Sequence, residues 1–407
     1  MTHPKLRIGH LRPNYAEQRL VIGKVAGADY VELHDPAPGA AYRASQLNRL
    51  MGRDVISTAA VGNIFWASRL ETVSRLHLVN AVAFGPTPWV STFETVMPRF
   101  PGNFVHTQAD PNFAPNARWL TNRVAMRAIA HSRCLGLIAL SDCARAIQQD
   151  FLSHCGAVGE RIANKLVVLH PPQVVNVFGD GEQDRPRSPD TPLRLAFVGG
   201  TFARKGGREM LDALRHLREI GLSNFHLTIV SSLAVSPEAT GETEVEMEAL
   251  RQRLAADAEE GWLTWHPSLP NEEVLALMRR TDVGLLPTHA ETYGYSVLEF
   301  QSCGVPVVTT DVRAMPEING EDRGWLISVG RNRLGEARYG TAAERAARST
   351  EIREGLVAVL GNLLRDRSTV AAKGIAALAH IRSRHDPQMY GERLRAIYES
   401  TGGLVSA

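Results

Sequence analysis

The sequence has few cysteines and no long apolar runs. The four cysteines, Cys134, Cys143, Cys155 and Cys303, contain no Cys-x-x-Cys pair, so neither a zinc site nor a disulfide framework is predicted. No apolar stretch approaches the roughly 20 residues that a membrane span needs. The first residues, MTHPKLRIGHLRPNYAEQ, lack the apolar run of a signal peptide. These absences favour a reducing, cytoplasmic setting.

A strong net charge is also absent. The formal charge is +2 at pH 7, so no nucleic-acid partner is predicted. The apolar content of 44% and the charged content of 22% are those of a globular protein. A length of 407 residues is enough for two or three domains of ordinary size.

Two common phosphate-binding motifs are absent from the glycine-rich loop at residues 199–206. The loop reads GGTFARKG, which is neither the P-loop pattern G-x-x-x-x-G-K-[ST] nor the dinucleotide pattern G-x-G-x-x-G. The next apolar run, at 225–230, ends in Ser231 and Ser232 rather than in an acid, which disfavours an NAD site.

What the chain does have is a regular alternation of short apolar runs and amphipathic segments, which predicts doubly wound α/β domains. The segment 178–192 is rich in Gly, Pro, Asp and Arg and has no apolar period, so we interpret it as a linker between two domains. A cleft between two such domains is a common ligand site. The predicted strands are 5–9, 28–33, 88–93, 135–140, 165–169, 193–198, 225–230, 263–265, 282–287 and 305–310, with 54–57 and 76–79 as strands or helix ends.

The stretch from 282 to 311 predicts a strand, a turn, a helix and a parallel strand. One interpretation is purely structural: Ser296 and Glu299 form a helix capping box, and Glu291 is a solvated loop carboxylate. The functional interpretation starts from the amides of Gly294, Tyr295 and Ser296, which open the helix and can bind an anion. A phosphate there would have a carboxylate on each side.

Arg204 and Lys205 precede a second amphipathic helix, whose apolar face is Met210, Leu211, Leu214, Leu217 and Ile220. Cations at a helix N-terminus oppose its dipole by about 0.3–1 kcal/mol each, and a bound anion would reverse that penalty. A solvated basic turn is the alternative.

The segment ETYGYSVLE, followed by GVPVVTT, resembles the Glu-x7-Glu signature of glycosyltransferase family 4. The resemblance implies a GT-B fold, with two Rossmann-like doubly wound domains facing across a cleft, and a retaining mechanism. It implies that Glu291 binds hydroxyls of the donor sugar and that Glu299 binds the ribose of the nucleotide. It also places the loop that begins at Gly199 and Gly200 against the donor diphosphate, which Arg204 and Lys205 would hold. Gly200 stands where many members carry arginine.

The resemblance assigns domains and leaves the acceptor side open. Residues 1–175 are expected to form the acceptor-binding domain, 176–192 the linker and 193–380 the donor-binding domain, with 381–407 packing back on the first domain. Asn80 stands where many members have a histidine, and Glu94 ends the next strand. The catalytic base, if the reaction uses one, is unassigned, and Glu94 and His106 are its candidates.

The sequence therefore predicts a retaining transferase that moves a hexose from a nucleotide-diphosphate sugar, with a UDP-sugar as the expected donor, to a hydroxyl of a glycan, lipid or small molecule. No cofactor and no metal are expected. The alternatives are a nucleotide-sugar epimerase or a phosphorylase on the same architecture and a non-catalytic nucleotide-sugar-binding subunit. The arginine-rich segment 331–353 is either a solvated surface or a peripheral contact with the inner face of a membrane.

Overall fold

The computed structural model describes residues 6–11, 14–34, 37–52, 58–66, 72–100, 120–177 and 190–400. The chain divides into two compact units: unit 1 comprises residues 1–106, 111–172 and 385–407, and unit 2 comprises 107–110 and 173–384. Most of the predicted linker, residues 178–189, lies outside the described residues. Within the described ranges, no helix has the length and apolarity needed to cross a membrane.

Unit 1 is built on a six-stranded sheet with the order β2-β1-β4-β6-β7-β8 and a two-stranded sheet, β3-β5. All the strand pairs are parallel, so the carboxyl ends of the strands in each sheet lie at one edge. The elements are β1 (Arg7–His10), α1 (Tyr15–Leu20), β2 (Asp29–Glu32), α2 (Ala37–Met51), α3 (Thr58–Gly62), β3 (Ile64–Trp66), β4 (Arg75–Val79), β5 (Val82–Phe84), β6 (Trp89–Phe93), α4 (Leu120–Ala130), β7 (Cys134–Ala139), α5 (Asp142–Ser153), α6 (Gly156–Ala163) and β8 (Leu166–Val168).

Unit 2 has a parallel sheet of six strands with the order β11-β10-β9-β12-β13-β14. The chain builds outward from β9 in one direction and then returns to the other side of β9 with β12, which is the Rossmann order. The elements are β9 (Leu193–Val198), α7 (Gly207–Glu219), β10 (Phe225–Val230), α8 (Pro237–Thr240), α9 (Glu244–Glu259), β11 (Leu263–His266), α10 (Asn271–Arg280), β12 (Val283–Leu286), α11 (Tyr295–Ser302), β13 (Val307–Thr310), α12 (Met315–Ile318), β14 (Gly324–Ile327), α13 (Ala342–Arg365) and α14 (Ser368–Arg384).

Helix α7 shows why the second unit folds as predicted. Met210, Leu211, Leu214 and Leu217 are buried because they recur at the helical period and face one side. Ile220 is 53% exposed, which differs from the predicted apolar face, because it is the C-cap residue and no longer follows the helix. α13 packs against α7.

The last helix, α15 (Pro387–Glu399), belongs to unit 1. The hydroxyl of Tyr398 lies 2.6 Å from His77 Nδ1 in β4, and the hydroxyl of Tyr390 donates to the carbonyl of Leu20 at 2.8 Å. His77 Nε2 lies 2.7 Å from Thr92 Oγ1. Burial lowers the pKa of His77 to about 3, so the ring is neutral at physiological pH and bridges β4, β6 and α15.

The structural interpretation of Ser296 and Glu299 as a capping box is wrong. Gly294, with φ 88°, is the N-cap of α11, and Ser296 lies inside the helix rather than at its start, so Ser296 and Glu299 form no capping box. Pro270 is the N-cap of α10. Ser141 caps α5, since its side chain accepts from the amide of Ala144.

Candidate functional site

The candidate site lies at the carboxyl ends of β9 and β12 in unit 2. These two strands are hydrogen-bonded neighbours, but the chain leaves them toward opposite sides of the sheet, because β10 lies beyond β9 and β13 lies beyond β12. The loops at such a point diverge and leave a crevice, where ligands of doubly wound sheets bind. The loop after β9 carries Arg204 and Lys205, and the loop after β12 carries Glu291.

Lys205 and Glu291 form an ion pair in this crevice, with Lys205 Nζ 2.5 Å from Glu291 Oε2. The two side chains are only 16% and 11% exposed. Burial by itself would raise the pKa of the Glu291 carboxyl, but the ammonium of Lys205 and the guanidinium of Arg204 outweigh it, and the pKa is lowered. Glu291 is therefore an ionised carboxylate and not the solvated loop residue of the structural interpretation.

Arg204 is tied to the same loop through both its side chain and its backbone. Its Nη1 donates to the carbonyl of Ala290 at 2.9 Å, and its Nε donates to Thr201 Oγ1 at 3.3 Å. Its carbonyl accepts from the amide of His289 at 2.9 Å. The site thus holds two cations and the Glu291 carboxylate within two loops that are bonded to each other.

The glycines of the first loop allow this close approach. A Cβ at Gly199 would lie 2.5 Å from Lys205 Cδ, so the lysine side chain packs directly over the Gly199 backbone. Gly206 has φ 79° and a Cβ there would lie 1.9 Å from the carbonyl oxygen of Pro287. The carbonyl of Gly200 accepts from the amide of Ala234.

The N-terminus of α11 contributes the remaining polar groups. The amides of Tyr295 and Ser296 belong to its first turn, where a helix offers no internal acceptor. Within the part of the chain that the structure describes, the buried hydroxyl of Ser296 has no hydrogen-bond partner. Glu299 lies one turn further along α11 and is half-buried. Gly294 has φ 88°, which side-chain-bearing residues rarely adopt, and a Cβ there would lie 2.4 Å from Met315 Cε, so this turn favours glycine.

A buried cluster behind the loops was missed from the sequence. His289 Nε2 lies 2.9 Å from Glu209 Oε2 in α7, without an aligned N–H between them. Arg348 in α13 donates from Nε to His289 Nδ1 at 2.7 Å. These residues are 80 and 59 positions apart in the chain, and no local pattern marks them. Only the order of the strands and helices brings them together.

In unit 1, the structure brings together Asn80 and Glu94, which follow the neighbouring strands β4 and β6. The amide of Glu94 donates to Asn80 Oδ1 at 3.3 Å, and the Glu94 carboxylate lies 3.6 Å from Arg99 Nη1. Asn80 itself has φ 57°. His106, the other candidate base, lies outside the described residues.

The arginine-rich segment 331–353 is partly bonded within unit 2. Arg348 is buried, Arg331 Nη2 lies 2.9 Å from Asp311 Oδ2, and Arg345 donates to the carbonyl of Tyr339 at 3.0 Å. These three arginines are held by the protein. The contacts of the described residues give no support to a membrane contact by this segment.

Comparison with known proteins places the similarity in unit 2. Residues 192–337 match the family model described as Glycosyl transferases group 1. The chain is 33% identical over 76 residues to O-antigen chain mannosyltransferase B of Escherichia coli, covering 19% of this chain and 20% of that protein. It is 30% identical over 139 residues to glycogen synthase of Mycobacterium tuberculosis, covering 34% and 30%. It is 30% identical over 171 residues to D-inositol 3-phosphate glycosyltransferase of Pseudarthrobacter chlorophenolicus, covering 40% and 37%. The chain thus matches between a fifth and two fifths of the length of these relatives.

Solved structures share the fold along nearly the whole chain. Anabaena HepE, solved in complex with UDP, superposes with a TM-score of 0.58 at 14% identity, covering 97% of this chain and 99% of that chain. Sucrose-phosphate synthase from Thermosynechococcus elongatus gives a TM-score of 0.56 at 12% identity, covering 97% and 98%. The predicted α/β fold is confirmed: the chain has the GT-B glycosyltransferase fold, and its residues 192–337 match the group 1 glycosyl transferase model.

Proposed function

We propose that the protein is a retaining glycosyltransferase that transfers a hexose from a nucleotide-diphosphate sugar to an acceptor hydroxyl. The observation that carries this proposal is the ion pair of Lys205 and Glu291, with Arg204 beside it and the open N-terminus of α11 on the same loop. The match of residues 192–337 to the group 1 model supports the same reading.

In the proposed reaction, the departing group is a nucleoside diphosphate, whose charge grows as the bond to the sugar breaks. Lys205 and Arg204 stabilise that charge electrostatically, and the first amides of α11 add donors fixed in place before the reaction. Two cations at the diphosphate make a metal ion unnecessary, and we propose a reaction without a metal or other cofactor.

The two carboxylates position the donor in this proposal. Glu291, ionised and next to Lys205, accepts hydrogen bonds from sugar hydroxyls once the diphosphate draws Lys205 away. Glu299, on the half-buried face of α11, accepts from the ribose. The two glutamates thus hold the sugar and the nucleotide in one orientation. Their proposed role is to position the donor and not to transfer a proton. Retention follows from the resemblance to glycosyltransferase family 4.

UDP is the nucleotide we propose for the donor. HepE has been solved in complex with UDP, with UDP and glucose, and with UDP-glucose. Their likeness to this chain is one of fold, so the nucleobase has to be decided by measurement. We propose no acceptor beyond a hydroxyl group and leave the 331–353 segment out of the reaction.

The test is thermal stabilisation by UDP, GDP, ADP, CDP and dTDP, each at about 100 times its dissociation constant. Binding at that concentration adds about 2.7 kcal/mol, which raises the melting temperature of a unit of this size by roughly 5–11 °C. The variants Glu299→Ala and Arg204→Ala/Lys205→Ala should lose the shift. Arg251→Ala, which removes a half-buried arginine paired with Glu248 on α9, should keep the shift.

Proton NMR of the product then reports the configuration of the new bond. An α-configured donor should give an α-configured product. If no nucleotide stabilises the folded wild type, or if the double variant responds as fully as wild type, the proposed donor site is wrong. If a nucleotide binds and the product is β-configured, only the retaining mechanism is wrong.

A further inference from the structure

The buried cluster behind the donor loops is a connected set of charged and polar groups with three members at its centre: Glu209, His289 and Arg348. All three side chains are almost fully buried. Burying an ion pair gives little net stability, since the cost of desolvation offsets the attraction. A cluster of this kind is therefore better explained by the geometry that it imposes than by the stability that it adds.

All three guanidinium nitrogens of Arg348 donate hydrogen bonds within the protein. Nε donates to His289 Nδ1, Nη1 donates to the carbonyl of Arg338 at 3.0 Å, and Nη2 donates to the carbonyl of Ala239 at 2.7 Å. The ring of Tyr339 lies 5.0 Å from its central carbon. Burial lowers the pKa of Arg348 to about 10, so the guanidinium is still protonated at neutral pH.

The contact with Arg348 determines the tautomer of His289. An arginine N–H can only donate, so His289 Nδ1 must accept with its lone pair and carries no proton. The ring proton is then on Nε2, which faces the Glu209 carboxylate at 2.9 Å. Burial would raise the pKa of the Glu209 carboxyl, but His289 and the hydroxyl of Ser349 outweigh it and the pKa is lowered. The ring is thus held between a fixed cation and a fixed anion.

His289 is joined through the backbone to both loops of the donor site. Its amide donates to the carbonyl of Arg204 at 2.9 Å, so it touches the residue that precedes Lys205. It lies two residues before Glu291 on the same loop. On its other side, Thr288 Oγ1 donates to the carbonyl of Ala290 at 3.0 Å. A movement of the His289 ring would therefore move the backbone that carries the ion pair.

We propose that His289 is a positioning residue of the donor site, and that Glu209 and Arg348 hold its ring so that Lys205 and Glu291 meet in one geometry. The role in catalysis rests on the proposed function, whereas the role in positioning Lys205 does not. A displacement of about 1 Å can lower a rate by about 100-fold, so a change at His289 should lower kcat by about 10- to 100-fold while UDP still binds.

Two variants at His289 remove its side-chain contacts to different extents. His289→Asn keeps an acceptor near Nδ1 for Arg348 but is too short to reach Glu209, and His289→Leu removes both contacts. The matched control is His226→Asn, which removes a histidine of the same unit whose Nε2 lies 2.9 Å from Thr264 Oγ1. His226 lies near the amino end of β10, at the edge of the sheet opposite the donor site.

The experiment has one readout that depends on catalysis and one that does not. The first is kcat for transfer from UDP-glucose, with the dissociation constant of UDP measured beside it. The second is the rate at which acetic anhydride labels Lys205, measured by mass spectrometry relative to Lys165 in unit 1, whose ammonium donates to three carbonyls. Lysines are few enough in this sequence for each to be followed separately.

We expect His289→Asn to lower kcat about 10- to 100-fold with the UDP dissociation constant within about 3-fold, and to raise the Lys205/Lys165 labelling ratio. His289→Leu should do so more strongly, and His226→Asn should change neither. A His289→Asn protein that labels and transfers like His226→Asn overturns the proposal. If wild type transfers nothing from UDP-glucose, that donor is wrong, and the labelling ratio alone decides the positioning role of His289. If His289→Leu does not fold, His289→Asn carries the test.

Discussion

Replacing Glu291 with glutamine removes the carboxylate that neutralises Lys205 but keeps a side chain of nearly the same shape. The two groups lie 2.5 Å apart in wild type, and a bound diphosphate must compete with Glu291 for the same ammonium. Removing the carboxylate ends that competition and also ends its repulsion of the phosphates. Glu291→Gln should therefore bind free UDP at least as tightly as wild type.

The magnitude follows from Coulomb's law. Two unit charges 4 Å apart interact by about 1 kcal/mol in water and about 4 kcal/mol at an effective dielectric constant of 20. A phosphate beyond Lys205 is more distant than 4 Å from the carboxylate, so the gain for UDP is on the order of 0.5–1.5 kcal/mol, or about 2- to 12-fold in affinity.

The efficiency of sugar transfer by Glu291→Gln should fall, although UDP binds at least as tightly. A hydrogen bond to a charged group contributes about 1.5–3 kcal/mol, so the loss of the carboxylate that holds the sugar should lower kcat/KM for the UDP-sugar by about 10- to 150-fold. Folding should also weaken by about 1–3 kcal/mol, because Lys205 is left nearly buried without its carboxylate.

Isothermal titration with UDP and initial rates with the UDP-sugar measure the two effects separately. Glu259→Gln, which neutralises an exposed carboxylate at the end of α9 in the same unit, is the control and should leave both values unchanged. The reasoning is refuted if Glu291→Gln loses UDP binding while its rate of transfer at saturating donor is that of wild type.

Three further predictions use other contacts. Gly294→Ala should weaken UDP stabilisation, because alanine at φ 88° strains the backbone that presents the first amides of α11, whereas Gly221→Ala, with φ 87° but away from those amides, should weaken folding and keep the UDP response; an equal loss of the UDP response in both would contradict the site. His77 has a folded pKa of about 3 below its unfolded value of about 6.5, so its contribution to stability is present above pH 6.5 and is lost as pH falls toward 3. Urea unfolding should show wild type losing up to about 1.4 kcal/mol more per pH unit there than His77→Gln, and parallel curves would refute this. Tyr398→Phe removes the 2.6 Å contact with His77 and should destabilise unit 1 by about 1–2 kcal/mol without changing the UDP response of unit 2; a lost UDP response would show that α15 affects the donor site.

Local patterns in the sequence predict five of the six strands of the donor unit, β9 to β13, whereas β14 has no predicted counterpart. The apolar run at 193–198, the loop with Arg204 and Lys205, and the face of α7 all have short-range periods that set strand and helix. The order of the strands also follows the general rules for doubly wound sheets. For this reason, the loops after β9 and β12 could be expected to form one site before any contact was known.

The contacts within the site could not be predicted in the same way. Lys205 and Glu291 are 86 positions apart, and their pairing depends on β12 lying beside β9 rather than beside β11. The capping interpretation of Ser296 failed because Gly294 can adopt φ 88° and begins the helix two residues earlier than the Ser-x-x-Glu pattern indicates. The sequence interpretation assigns Gly294 to the anion site, and the structure shows that it is also the N-cap.

The contacts of the buried cluster of Glu209, His289 and Arg348 could not be predicted from the sequence either. Arg348 lies in the arginine-rich segment 331–353, and spacing alone does not show which face of a long helix is buried. Its neighbour α7 covers that face, and only then do Glu209 and His289 become its partners. Charged residues in the core depend on tertiary packing, and one sequence does not reveal their partners.

The donor site is tested most directly by titrating UDP into three proteins: wild type, Lys205→Met and Glu291→Gln. Both substitutions break the same 2.5 Å ion pair, so a purely structural pair predicts that both variants respond alike. A site for a diphosphate predicts opposite signs, with Lys205→Met binding UDP about 10-fold or more weakly and Glu291→Gln binding it at least as tightly as wild type. Equal losses in the two variants, or no binding to wild type, would contradict the account.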